Sequence, residues 1–173
     1  MPRYFSTFRE TSDESSETVV IHSNLIEHNS RSRFVLVKEE ETYTPILNLD
    51  IGSQSFCFQD TQVINDTVLI GWGDYFATFN LVTRKQTFHS LDGYFGNFRV
   101  FDNKVFVCSA EDVTCLSIEG EVIWKSEPIA IDGVVINSFE NETIYCSCEW
   151  DPPGGWQPFQ LDFLTGKTKK GIS

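Results

Sequence analysis

The chain has 173 residues, 40% of them apolar including fifteen phenylalanines, and a formal net charge of −12. That length suits one domain burying about 70% of its unfolded surface, and such apolar content excludes general disorder. The negative charge argues against a nucleic-acid ligand, whose phosphates it would repel, and no apolar run approaches the length of a membrane-spanning helix.

Residues 6–18 are polar and without period, so residues 1–17 read as a loose N-terminal arm ahead of one β domain over 18–173. The first residues, Met1-Pro-Arg-Tyr-Phe-Ser-Thr-Phe8, lack the apolar stretch and small-residue cleavage site of a secretory signal. Five cysteines, an odd number, are scattered through strand-like segments: Cys57, Cys108, Cys115, Cys146 and Cys148. They read as small buried thiols in a reducing compartment, and the expectation is a cytoplasmic protein. Strands are expected at 18–23, 33–38 and 42–49, the last two joined into a hairpin by the acidic turn Glu39-Glu-Glu41.

From residue 55 the chain echoes itself. Val63-Ile-Asn65-Asp-Thr-Val68-Leu-Ile70-Gly71 returns as Phe101-Asp-Asn103-Lys-Val-Phe106-Val-Cys108-Ser109 and as Phe139-Glu-Asn141-Glu-Thr-Ile144-Tyr-Cys146-Ser147, with the asparagines 38 residues apart both times. A period of that length built from short strands marks a stacked β-repeat. Units at about 55–91, 92–130 and 131–170 each read as four strands. The first are 55–64, 94–101 and 134–139. The second centre on the apolar triplets 68–70, 106–108 and 144–146, which do not alternate and so predict burial on both faces. The third are 76–81, 113–118 and 159–163. After turns at 83–85, 119–120 and 165–167 come last strands at 86–90, 121–125 and, more weakly, 168–170. No helical stripe appears. The repeated asparagine suits a tight turn that needs left-handed backbone angles, which also accounts for the formal glycosylation sequons at Asn65 and Asn141.

The segment from Asn103 to Trp124, ending Leu-Ser-Ile-Glu-Gly-Glu-Val-Ile-Trp124, resembles one blade of the β-propeller repeats of the quinoprotein (PQQ) or WD40 type. Leu161-Asp-Phe-Leu-Thr-Gly-Lys167 carries the same turn, and Leu81-Val-Thr-Arg-Lys85 a degenerate form. The resemblance covers about 55–170. It implies an all-β fold, a propeller-like stack of about three four-stranded antiparallel sheets plus an N-terminal strand set. Only the second unit has the terminal Trp; the first has Phe88 there. Three units do not make the ring of a quinoprotein enzyme, so residues 18–50 form an irregular fourth blade or the stack stays open. An open stack exposes sheet faces, which would mark an interaction site or a homodimer. Neither the closed funnel nor the calcium constellation of quinone chemistry is visible, and no cofactor is expected.

No catalytic or metal-binding residue stands out. His22, His28 and His89 lack ligand spacing, and Cys146 and Cys148 suit small core positions on one strand face. No phosphate loop, Gly-x-Ser-x-Gly or His-Glu-x-x-His is present. The third unit carries about eight extra residues in Glu149-Trp-Asp-Pro-Pro-Gly-Gly-Trp-Gln-Pro158. Its tryptophans either fold back on the sheet end or form an aromatic anchor, since Trp is enriched in interface hot spots. Trp150, Asp151, Trp156, Glu149 and Phe159 are the expected partner-binding residues. The expected function is non-catalytic binding of a protein partner, as in an acidic inhibitor or immunity-type protein acting on a basic toxin or nuclease. The competing class is a carbohydrate-binding protein or hydrolase with a Trp and carboxylate groove at Trp150, Trp156, Asp151 and Glu149.

Overall fold

A computed structural model describes residues 3–21, 33–52, 58–150 and 155–169. Among these the fold is all-β, with no helix, in four sheets. The first sheet takes β1 (Tyr4–Arg9), β2 (Glu17–Val20), β3 (Arg33–Glu39) and β4 (Pro45–Gly52), ordered β1-β3-β4-β2. The second runs in chain order through β5 (Gln59–Ile64), β6 (Thr67–Trp72), β7 (Tyr75–Asn80) and β8 (Gln86–Ser90). The third does the same with β9 (Phe95–Phe101), β10 (Lys104–Ser109), β11 (Val113–Ser117) and β12 (Val122–Lys125). The fourth holds β13 (Val134–Glu140), β14 (Thr143–Glu149) and β15 (Trp156–Asp162). The first strands of the four sheets pack in series, β1 against β5, β5 against β9 and β9 against β13, so the sheets fan out from them.

Apolar triplets build the cores between sheets. Val68, Ile70 and Trp72 of β6 face the first sheet, where they meet Val35, Val37, Leu47 and Leu49. Leu69, on the other face, joins Phe76, Phe95, Phe98, Val105 and Val107 between the second and third sheets. Phe106 and Cys108 then look the opposite way, onto Ile136, Ile144, Cys146 and Leu161. Burial on both faces therefore holds for β6 and β10. It fails for β14, where Tyr145 and Ser147 are only half-buried on the face turned away from the third sheet.

The repeated turns behave as their asparagines require. Asn65, Asn103 and Asn141 have φ of 53°, 54° and 47°, the left-handed region that Asn tolerates best among residues with a β-carbon. A second repeated device ends the third strand. Asn80 Oδ1 accepts from the Val82 and Thr83 amides and the Thr83 hydroxyl, and Asp162 Oδ1 does the same for Leu164 and Thr165.

The turns after the third strands dock on the preceding sheet. A β-carbon on Gly166 would lie 2.3 Å from the Trp124 ring, and one on Gly120 would lie 2.1 Å from Thr87 Oγ1. The Trp124 indole also donates to the Phe163 carbonyl at 3.1 Å, and His89 Nε2 to the Gly120 carbonyl at 2.8 Å. The second sheet thus has Thr87, not Phe88, where the third has Trp124. Thr87 pairs with Thr78 as Trp124 pairs with Cys115, while Phe88 turns to Trp72 and Tyr75.

The N-terminal region departs from expectation. Residues 4–9, assigned to a loose arm, form β1, antiparallel to β3 and with Tyr4 and Phe8 packed on the core shared with the second sheet. The β3–β4 hairpin forms as expected, but the strand expected at 18–23 is β2, which runs parallel to β4. The Asn48 side chain, fully buried, holds the intervening segment by accepting from the Asp13 amide and donating to the Asp13 and Ser16 carbonyls. Polar spacing hid this segment because its fixing group is a single buried amide on another strand. Among the described residues, the last strand of the third unit amounts to one bridge, Leu161 to Thr168.

Cys108, Cys115, Cys146 and Cys148 are all buried and unpaired in disulfides. Burial pushes the thiols of Cys115, Cys146 and Cys148 up to about 12, and that of Cys108 further still. A thiolate is the reactive form. In a Cys57→Ser variant at pH 8, a thiol reagent is therefore expected to label none of the four until denaturant is added. Rapid labelling of any one in the folded protein would contradict this packing.

Candidate functional site

A groove of about 810 Å³ opens where β9 and β13 begin and the chain enters β5. The repeat places its walls. Phe58 precedes β5, Tyr94 precedes β9, and Asp132 with Gly133 precedes β13; Gly73 and Asp74 form the β6–β7 turn, and Glu149 and Trp156 flank the β14–β15 connection. The Phe58 and Tyr94 rings stack with centroids 5.5 Å apart and planes 20° from parallel. The Tyr94 hydroxyl donates to the Asp132 carbonyl at 2.7 Å and lies 3.1 Å from Asp132 Oδ1. Trp156 lies over Gly133, where a β-carbon would sit 3.2 Å from the indole edge.

Backbone bonds fix these walls. The Leu91 amide donates to the Asp74 carbonyl and the Phe95 amide to that of Gly73, tying one linker to the β6–β7 turn. The Ile131 amide donates to the Glu149 carbonyl, and the Glu149 amide to that of Gly133, tying the next linker to the end of β14. Among the described residues the lining carries Asp74, Asp132 and Glu149 and no Lys or Arg. One repeat further along from Asp74, Asp112 occupies a different setting. It is buried, with Lys125 Nζ 3.2 Å away, and Lys125 also reaches Asp92 at 2.7 Å. Burial raises the Asp112 carboxyl and the Lys125 charge opposes that rise. An ion pair thus closes the position that stays open beside Asp74.

The structure gathers two of the expected site residues, Trp156 and Glu149, into this groove. Trp150 and Trp156 are each 44% exposed, so neither folds away into the core. Trp150 does not line the groove. Phe159 lies on the opposite face of β15 from Trp156 and packs against the core between the third and fourth sheets. Asp151 lies outside the described residues, as do His22, His28 and Cys57. Among the described residues no three His, Cys, Asp or Glu side chains group as metal ligands. Phe58 and Tyr94 escaped sequence reasoning, and nothing in the sequence set Asp74 and Asp132 apart from the other carboxylates. The available signal was positional: Tyr94 and Asp132 stand 38 residues apart, at the head of successive first strands, where loops on a rigid β-scaffold place binding groups.

The fold and the radial series of sheets define a partial propeller, all-β and of propeller type. No protein-family model matches the chain, and no curated protein does. Among solved structures it is similar to AztD of Citrobacter koseri, at 11% identity and a TM-score of 0.50, over 90% of this chain and 45% of that one. It also aligns with Hsv2 of Kluyveromyces lactis (11% identity, TM-score 0.44, 76% of this chain and 39% of that one). A structure of a prolyl endopeptidase aligns at 12% identity and a TM-score of 0.44, over 82% of this chain and 23% of that one. The chain thus spans less than half the length of the AztD chain it matches.

Proposed function

We propose that this protein is a non-catalytic binding module that holds a basic protein partner in the groove at the head of its first strands. One observation carries the reading: stacked Phe58 and Tyr94, half-exposed Trp156, and the acidic residues Asp74, Asp132 and Glu149 share one groove, with no Lys or Arg among the described residues that line it. Rigid aromatic side chains contribute contact area at low entropic cost, and carboxylates in a chain of net charge −12 steer and select a basic surface. An acidic inhibitor or immunity-type protein acting on a basic toxin or nuclease is the specific form of this role. Buried thiols favour a reducing, cytoplasmic setting for it. The turn Leu161 to Lys167 and its packing on Trp124 favour the quinoprotein type of blade over other propeller types, as a scaffold without the cofactor.

The test is affinity capture from the native host, followed by identification of stoichiometric partners. One basic protein is expected with the native chain and not with Trp156→Ala. Retention of the same partner by Trp156→Ala, or glycan-array binding that this substitution abolishes with no protein captured, would overturn the proposal. The second outcome would favour the carbohydrate-binding alternative.

A further inference from the structure

Resting on that protein-binding reading, we infer that the groove seats an arginine side chain of the partner, its guanidinium against the aromatic wall and paired with the Asp132 carboxylate. The occupant must satisfy three features at once. The wall offers aromatic faces, in the 5.5 Å stack of Phe58 and Tyr94 and in Trp156 across Gly133. Asp74, Asp132 and Glu149 line one opening from three different connections. The Tyr94 hydroxyl, by its contacts to the Asp132 carbonyl and to Oδ1, fixes how that carboxyl group is presented.

A guanidinium meets all three. It is planar and weakly hydrated, so it stacks on rings, and its forked N–H donors match a carboxylate two at a time. A lysine ammonium brings the charge without the planar face or the fork. A neutral sugar would use the ring faces but bring no charge to the Asp132 carboxylate. The walls are already held by backbone hydrogen bonds on both linkers, so little ordering cost attends binding. Gly133 belongs to the same arrangement: with φ of 149° and the indole 3.2 Å from its would-be β-carbon, it lets Trp156 approach the linker.

The experiment titrates the full chain with three capped pentapeptides, Gly-Gly-X-Gly-Gly, where X is arginine, lysine or citrulline, followed by calorimetry and tryptophan fluorescence. Citrulline keeps the shape of arginine and removes its charge and part of its donor fork. The arginine peptide is expected to bind about tenfold more tightly than citrulline and several-fold more tightly than lysine. Asp132→Asn and Trp156→Ala should each weaken it about tenfold. Trp156→Phe, which keeps a ring, should lose less, and thermal melts of each variant separate lost binding from lost folding. Equal binding of arginine and citrulline, or indifference to both Asp132→Asn and Trp156→Ala, overturns the inference. The two readings fail separately. A partner captured through Trp156 that an excess of arginine peptide does not displace refutes the arginine assignment and leaves protein binding intact. Peptide binding by a chain that captures no protein refutes the broader reading.

Discussion

Trp124→Ala is expected to lower folding stability by about 3–5 kcal/mol, measured as the shift in the urea unfolding midpoint at constant slope. The side chain is 8% exposed and wedged between two sheets, against Phe106 at 5.9 Å between centroids and over Gly166. Truncation would leave a ring-sized void that neighbouring β-strands cannot collapse into, because their positions are fixed by hydrogen bonding. It would also remove the donor to the Phe163 carbonyl. Trp124→Phe separates the two effects. It restores most of the volume and loses the hydrogen bond, so a loss of about 1–2 kcal/mol is expected. A loss below about 1 kcal/mol for the alanine variant would show that the third and fourth sheets do not lean on this residue.

Gly71→Ala is the second large effect, expected to cost about 2–3 kcal/mol through overpacking. Gly71 lies within β6, and a β-carbon there would fall 2.1 Å from the Phe95 ring, far inside contact distance. Phe95 is 1% exposed at the head of β9, with nowhere to retreat. The cost should shrink when the ring is shortened, so Phe95→Leu combined with Gly71→Ala is expected to be less destabilised than the sum of the two single variants. Additive losses would place the clash elsewhere. Phe95 follows Tyr94 directly, so the same substitution should also disturb the Phe58–Tyr94 stack and weaken groove binding.

Periodicity made most of the scaffold legible. Asn65, Asn103 and Asn141 mark turns because a left-handed angle is written into residue type, and the triplets of β6 and β10 mark two-sided burial because apolarity is. What escaped depended on partners distant in sequence. Residues 6–18 look polar and unpatterned, yet 4–9 pair with β3, and the segment near Asp13 is held by Asn48 on β4. The weak alternation of β14 went unread because Tyr145 is apolar enough to complete a triplet while facing outward half-buried. For the site, the insertion drew attention to Trp156 and Glu149, which line the groove, since a lengthened loop on a regular repeat is visible in one dimension. Phe58 and Tyr94 were invisible, and Asp74 and Asp132 indistinct among many carboxylates, because each is ordinary by itself and meets the others only through the fan of first strands.

The docking of each turn on the sheet before it also sets an order in time. Arg84, in the turn after β7, pairs with Glu17 of the first sheet; the Gly120 turn settles on Thr78 and Thr87 of the second; the Gly166 turn closes over Trp124 of the third. Every latch thus belongs to the sheet that leaves the ribosome later, and domains and their parts are synthesised from the N-terminus onward. A nascent chain halted before residue 120 would carry a second sheet still unlatched, and one halted before residue 166 a third with its tryptophan uncovered. Protease resistance gained stepwise along stalled chains would record that sequence of closures.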